Sequence, residues 1–373
     1  MIKTRTRRII QGSDYSAQEP RCLSALCRDE GMLAAYRIGK DLYCEIASIA
    51  LHVPYKFCLE HFPKGCPIKK NDDGKWVYAK LKNGEEDDIT NFEDFSRYLA
   101  DDFNADDYDY DKLADGETDV FKEGKERRNQ AKRILLGIMY GRGKASIAEQ
   151  LGCEVEEAEE IKNNVYAAFP RIKVFEEESN KMVKEHGYVT TLWGRKRRLP
   201  DYNLPQYEYV YVDNNGNVLQ NMKVPQTIQD RYNSKLSYAK WKEKDAIIER
   251  AKKEDQILII DNQSKKAQAG RQIINSRVQG SSADMSKLAC IKIYNDEELT
   301  KRGVKIIIPV HDEILIETPL RYAKFVKKQF AYDMIEAPQP KLGIPMSCDV
   351  VSANGWYHDE LELDDILGDL EDI

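Results

Sequence analysis

Three consecutive ionisable residues interrupt a strongly apolar stretch near the end of the chain. His311, Asp312 and Glu313 stand between the runs KIIIPV and ILIE. Burying unpaired ionisable groups is costly, so packing alone does not account for the triplet, although a polar hairpin turn stays open. Asp14 ends another apolar run, and taken alone it could equally be a helix N-cap. Aspartates at the ends of adjacent strands could hold two Mg²⁺ ions for phosphoryl transfer.

A second candidate group follows a helical spacing. Arg128, Lys132, Leu136 and Tyr140 recur every four residues in RRNQAKRILLGIMYG. On a helix this interval places them along one side. Two cations and an aromatic ring suit a triphosphate and a base. The alternative is an amphipathic helix whose basic residues simply face water.

The same interval recurs later, at Arg271, Asn275 and Gln279. Guanidinium and amide donors suit the minor groove of DNA, where all base pairs present similar acceptors. The spacing therefore predicts contact with a duplex that does not depend on its sequence.

The elements that must position these residues follow from hydrophobic periodicity and breaker residues. The predicted elements are a strand over 9–16, helices over 20–53 with breaks near Gly31 and Gly39, a helix over 124–141, helices over 144–186 broken at Pro170, a hairpin over 207–224, helices over 235–254 and 271–295, and a strand–turn–strand carrying the HDE triplet at its tip.

Composition excludes some classes of protein. The 373 residues carry a net charge of −7 and have no apolar run near the ~20 residues of a membrane helix. No secretory signal follows the basic N-terminus. The eight cysteines lack zinc-site spacing, which favours reduced thiols and a cytoplasmic location. An acidic chain could bind nucleic acid only through local basic patches.

Taken in order, these segments resemble the C-terminal part of a family A DNA polymerase, the family of bacterial DNA polymerase I and many phage replicases. DYSAQEPR resembles its motif A, RRNQAKRILLGIMYG its motif B and VHDEILIE its motif C. The flanking segments LCRDEGMLAAYRIGKDLYCEIAS, GYVTTLWGRKRRLPD and NSRVQGSSADMSKLACIKI are similar too. The resemblance implies an α+β right-hand fold with palm and fingers. It also implies a DNA-directed DNA polymerase, acting in phage-type replication in a bacterial cell.

The resemblance implies two Mg²⁺ ions, primer–template DNA and deoxynucleoside triphosphates as cofactors and partners. The implied metal ligands are Asp14, Asp312 and the backbone carbonyl of Tyr15, with Glu313 assisting. Lys132 would also protonate the leaving pyrophosphate, and Glu19 would exclude a ribose 2′-OH. The other implied contacts are Tyr43, Arg128, Leu136 and Tyr140 to the nucleotide, and Arg21, Arg271, Asn275, Gln279 and His311 to DNA.

The chain departs from the family pattern in several places. Leu136 stands where the family usually has Phe or Tyr, which bears on analogue discrimination. Only thirteen residues precede motif A, so we expect neither a thumb nor an exonuclease domain in this chain. We expect a partner polypeptide to supply the thumb. The expected domains are palm over 1–30, fingers over 31–270 with insertions at about 59–120 and 203–266, palm over 271–358 and an acidic tail over 359–373.

Two other functions stay open. A single-subunit RNA polymerase shares the palm, but Glu19 and the HDE triplet argue against it. A non-catalytic relative could bind primer–template or a replisome partner, but it need not keep both aspartates and the triphosphate cations.

Overall fold

A computed structural model of the chain describes residues 8–53, 55–60, 68–70, 76–78, 119–356, 360, 361 and 363. The helices in this part of the chain are α1 Gln18–Cys27, α2 Glu30–Arg37, α3 Leu42–Leu51, α4 Asp119–Met139, α5 Lys144–Leu151, α6 Val155–Ala168, α7 Pro170–His186, α8 Gln226–Tyr238, α9 Trp241–Glu254, α10 Gln263–Asn295, α11 Glu297–Lys301, α12 Ala323–Glu336 and α13 Gln339–Leu342. The strands are β1 Arg8–Tyr15, β2 Ile68–Lys70, β3 Trp76–Tyr78, β4 Tyr188–Thr190, β5 Lys196–Arg198, β6 Tyr207–Val212, β7 Val218–Lys223, β8 Ile257–Asp261, β9 Lys305–Val310, β10 Glu313–Pro319 and β11 Cys348–Ala353.

A four-stranded antiparallel sheet, in the order β11–β1–β10–β9, carries the predicted strand residues. Side chains alternate across a strand, so β1 buries Gln11, Ser13 and Tyr15 on one face while Asp14 is exposed on the other. The Tyr15 hydroxyl donates to the carbonyl of Met334 at 2.8 Å, which ties this face to α12. The opposite face of the sheet is left for the ionisable residues.

The main hydrophobic core lies between this sheet and the surrounding helices, with α10 running through it. Ile273, Val278 and Met285 of α10 are fully or almost fully buried there. The core also receives buried side chains from α1, α3, α4, α6, α7 and α12. Because the sheet and α4 share this core, the predicted motifs are fixed relative to one another. The mixed helix and strand content confirms the predicted α+β class.

Most predicted elements are present, but several boundaries differ. The first break in the N-terminal helices falls at Arg28 and Asp29, and Gly31 lies inside α2. The Asp29 carboxylate caps α2, accepting from the backbone N–H groups of Gly31 and Met32. A break also occurs at Gly152, which adopts a positive φ, in addition to the predicted break at Pro170.

The two helices predicted around 235–254 and 271–295 were wrong in extent. The first is split into α8 and α9, because the Glu243 carboxylate accepts a hydrogen bond from the backbone N–H of Lys240 and so caps a new helix start. The second, α10, begins at Gln263, earlier than predicted. The HDE triplet was predicted to lie at the tip between the two strands, but only His311 and Asp312 lie in the turn, and Glu313 is the first residue of β10.

Residues 205–262 form a small folded body that we call the inserted unit. Its sheet has the order β7–β6–β8, and the predicted hairpin is present as β6 and β7. Its own hydrophobic cluster is separate from the main core and consists of Tyr207, Val224, Tyr232, Leu236, Ala251, Ile257 and Ile259. This unit lies within residues 203–266, where an insertion is predicted, and that it is an insertion stays a prediction. The other predicted insertion and the acidic tail lie almost wholly outside the described residues.

The seven described cysteines are free thiols: Cys22, Cys27, Cys44, Cys58, Cys153, Cys290 and Cys348. Among the helices in the described ranges, none is both long and apolar enough to cross a membrane.

Candidate active site

Three carboxylates meet where β1 ends and β9 turns into β10. Asp14 pairs with Glu313 across the ladder between β1 and β10, and Asp312 precedes Glu313 in the turn. Directly opposed residues project from the same face of a sheet. Burial, followed by the charges of Asp312 and Glu313, raises the pKa of Asp14 to about 6. The carboxylates therefore repel one another, and a bound cation would relieve that repulsion.

Hydrogen bonds that involve α10 and α1 hold the turn that carries Asp312. His311 has a φ of +56°, in the left-handed region that a tight turn requires. Its carbonyl accepts a hydrogen bond from the Ser286 hydroxyl of α10 at 3.0 Å, and the amide of Gln18 donates to the same hydroxyl at 3.1 Å. His311 Nδ1 lies 3.0 Å from Asp312 Oδ1. The orientation of the aspartate thus depends on α1, α10 and the turn together.

A polar network connects this turn to α1, α4 and α10. The Tyr140 hydroxyl donates to Glu19 Oε2 at 3.0 Å, and the Gln279 amide donates to the Tyr140 hydroxyl at 3.4 Å. His311 Nε2 lies 3.9 Å from Glu19 Oε1. Glu19 is only 8% exposed, so its carboxylate is held in one place. Four residues predicted from separate motifs therefore meet at one site.

Arg128 is neutralised by acidic neighbours. Its guanidinium donates two hydrogen bonds to Asp41 Oδ2, at 3.0 and 2.9 Å, and lies 3.3 Å from Glu60 Oε1. The ring of the buried Tyr43 lies beneath it, 5.2 Å from the guanidinium carbon. A phosphate that binds Arg128 must compete with both carboxylates. Sequence reasoning predicted neither acidic partner.

The remaining residues of the α4 stripe differ in exposure. Lys132 is exposed and makes no ion pair with the described residues. Leu136 and Tyr140 are half-buried and pack against the main core. Lys132 is thus the cation of the stripe best placed to meet an anion from solvent.

The face of α10 presents Arg271, Asn275 and Gln279 as the spacing predicts. Arg271 and Gln279 are exposed, while Asn275 has a buried Oδ1 without a hydrogen-bond partner among the described residues. The backbone at Gly141 approaches α10 closely here. Gly141 has a φ of +61°, and a Cβ there would lie 3.2 Å from the Arg271 Cα. This glycine lets the end of α4 contact α10.

Arg21, predicted to contact DNA, is held by the protein itself. Its guanidinium donates to the carbonyls of Ser16, at 2.9 Å, and Pro345. It also lies 4.3 Å from the centre of the Tyr36 ring. Its role toward DNA stays a prediction.

Sequence reasoning missed two neighbours of the carboxylates. Asp349 of β11 is directly opposite Asp14 in the sheet, so both project from the same face. Trp356 Nε1 donates to Glu313 Oε2 at 3.2 Å. The two valines of CDVVSA could have indicated the strand β11, but its pairing with β1 spans most of the chain.

The carboxylates suit a magnesium ion. Within the described ranges, no group of three or more His, Cys, Asp or Glu side chains is arranged to hold a metal. Mg²⁺, however, is usually held by one or two carboxylates together with waters and substrate phosphates. Asp14 and Asp312 are two carboxylates that lie close enough to interact.

Comparison with known proteins shows which family of sequences the chain matches. Residues 117–358 match the sequence model described as DNA polymerase family A. The chain is 26% identical to DNA polymerase I of Caldicellulosiruptor bescii over 239 residues, which is 64% of this chain and 21% of that protein. It is 28% identical to DNA polymerase I of Streptococcus pneumoniae over 234 residues, which is 62% of this chain and 20% of that protein. The chain thus spans about a fifth of these relatives.

A solved structure has the same fold. The polymerase domain of Pol1 from M. smegmatis, in complex with a DNA primer–template and a dNTP, has a TM-score of 0.58 and 18% sequence identity. The likeness covers 95% of this chain and 41% of that one. The sequence model begins at residue 117, so Asp14 lies outside its range, whereas the structural likeness covers nearly the whole chain.

Proposed function

The chain belongs to DNA polymerase family A, and from this membership we propose that it is a DNA-directed DNA polymerase, adding deoxynucleotides to a primer 3′ end. One observation carries the proposal: residues predicted for this reaction meet in a network of Glu19, Tyr140, Gln279 and His311. The similar M. smegmatis polymerase domain binds a DNA primer–template and a dNTP, which supports the proposal that this chain binds the same two ligands.

Asp14 and Asp312, with the Tyr15 carbonyl, are the proposed magnesium ligands. Bound Mg²⁺ ions would neutralise charge on the attacking oxygen and on the triphosphate. Burial and the charges of Asp312 and Glu313 raise the pKa of Asp14, and the repulsion among these carboxylates supports a cation at this position. Glu313 is oriented by Trp356 and lies beside the pair.

Lys132 is proposed to bind the triphosphate and to supply a proton to the leaving pyrophosphate. Its exposure and its lack of an ion pair with the described residues support this role. Arg128 would join it by exchanging Asp41 and Glu60 for phosphate oxygens. Tyr43 lies below Arg128 and would contact the same phosphates only once the guanidinium has moved.

Glu19 is proposed as the group that excludes a ribose 2′-OH. The Tyr140 hydroxyl holds its carboxylate, so it cannot swing aside without breaking a hydrogen bond. Leu136 lies on the same side of α4 and would contact the nucleotide sugar. Arg271, Asn275 and Gln279 would contact the minor groove through their guanidinium and amide N–H donors.

Primer extension by the purified chain, with Mg²⁺ and four deoxynucleotides, tests the proposal. Asp312→Asn keeps the shape of the side chain and removes its charge, so extension should fall about a thousandfold or more, since charge stabilisation by the metals supplies several kcal/mol. Primer–template binding without extension, equal in the wild type and this variant, would instead support a binding-only relative.

The same assay tests the predicted thumb-bearing partner polypeptide, because extension by this chain alone counts against a need for it. The relatives named above are cellular enzymes, so the phage-type role stays a prediction.

A further inference from the structure

The inserted unit stands apart from the catalytic carboxylates but is joined directly to α10. Its last strand, β8, ends at Asp261, and α10 begins at Gln263. The buried Asn262 between them donates to the Pro205 carbonyl at 3.2 Å, so both ends of the unit are fixed at the start of this helix. At 1.5 Å per residue, the start of α10 lies about 24 Å along the axis from Gln279.

Two large aromatic side chains are exposed where α8 turns into α9. Tyr238 is 89% exposed and Trp241 is 77% exposed. Aromatic residues usually bury most of their surface, so such exposure in a folded, capped turn indicates a contact surface. We call residues 238–244 the aromatic corner.

The aromatic corner is also basic. Lys240, Lys242 and Lys244 make no ion pair with the described residues, whereas the Glu243 carboxylate is engaged by the backbone N–H of Lys240. A local excess of free lysines stands out on a chain whose net charge is −7. Alternating aromatic rings and cations suit unpaired nucleic acid, because bases stack on the rings while lysines meet the phosphates.

We propose that the aromatic corner binds the unpaired template strand of the primer–template, an inference that rests on the proposed function. The inserted unit is joined to the N-terminal end of α10, the helix that presents the proposed duplex contacts Arg271, Asn275 and Gln279. Beyond the primer end, the template is the strand with free bases. A protein partner is less suited, because lysine is depleted in protein interfaces.

Binding of a fluorescein-labelled oligo(dT) of about 16 nucleotides, measured by anisotropy at several salt concentrations, tests the inference. Tyr238→Ala with Trp241→Ala should weaken binding about tenfold or more, from the loss of base stacking. Replacing Lys240, Lys242 and Lys244 with Gln should lower the slope of log affinity against log salt by about 2, since each phosphate contact contributes about 0.7.

Matched controls lie on the same helices. Lys252→Gln with Lys253→Gln changes exposed lysines at the other end of α9, and Tyr294→Ala removes an exposed ring at the far end of α10. Both controls should bind oligo(dT) like the wild type. Circular dichroism should show unchanged helix content in every variant, because all the altered side chains are at the surface.

Unchanged oligo(dT) affinity in the aromatic variant overturns the inference. So does concentration-dependent self-association that disappears with Trp241→Ala, because it assigns the surface to a second copy of the chain. Primer extension separates this result from the proposed function. Extension with unaltered oligo(dT) binding refutes only the aromatic corner, whereas corner-dependent binding without extension refutes only polymerase activity of this chain by itself.

Discussion

Replacing Glu19 tests whether its carboxylate selects deoxynucleotides. The carboxylate is buried and accepts a hydrogen bond from the Tyr140 hydroxyl at 3.0 Å. A hydrogen bond to a charged group contributes about 1.5–3 kcal/mol, which corresponds to about 10–100-fold in an equilibrium. Tyr140→Phe keeps the ring and frees the carboxylate, so discrimination against ribonucleotides should fall about tenfold. Glu19→Ala removes the obstacle itself and should lower discrimination at least as much.

Single-nucleotide insertion gives the required measurement, as the ratio of kcat/KM for a deoxynucleotide to that for the matching ribonucleotide. The wild type, Tyr140→Phe and Glu19→Ala should form a descending series. Combining the two changes should add nothing to Glu19→Ala, because the hydroxyl acts through the carboxylate. An unchanged ratio in Glu19→Ala, with deoxynucleotide insertion still measurable, would refute the assignment of Glu19 and leave the network a structural role only.

Three further predictions concern protons and packing. Mg²⁺ binds the ionised form of a carboxylate, and the pKa of Asp14 is about 6, so the affinity for magnesium should fall as the pH drops below 6. Calorimetry in two buffers should detect the release of a proton when magnesium binds. Asp14→Asn should remove that proton release. Burial and the charge of Asp296 raise the pKa of Asp333 to about 6, above its unfolded value, so the contribution of this carboxyl to the free energy of unfolding should decline by about 2 kcal/mol between pH 4 and 6. Urea titrations of the wild type and Asp333→Asn should differ in their pH dependence by that amount. Gly141→Ala should destabilise the fold by about 1–2 kcal/mol in thermal unfolding because φ is +61°, whereas Gly270→Ala, inside α10 with open space around it, should not.

The sequence predicted those parts of the site that depend on local spacing. The interval of four residues placed Lys132 and Tyr140 on one side of α4 and predicted the exposed edge of α10 correctly. The apolar runs around His311 and Asp312 predicted the strand–turn–strand. These are properties of a single helix or hairpin, and they can be worked out from neighbouring residues.

Features that depend on distant residues could not be predicted in this way. The partners of Arg128, and the position of Asp349 opposite Asp14, arise from segments far apart in sequence. The split between α8 and α9 has no Gly or Pro to mark it, and it depends on a capping contact of Glu243. Helix propensity alone favoured one continuous helix there.

The ends of the inserted unit lie side by side. The backbone N–H of Asn262 donates to the Gln206 carbonyl at 2.8 Å, so the chain leaves the main body and returns to it at almost the same point. A segment with adjacent ends and its own core can be lengthened, replaced or lost in evolution while α10 and the sheet keep their positions. The polymerase fold can thus exchange this part as a cassette, and a template-handling surface could be acquired without any change to the catalytic residues.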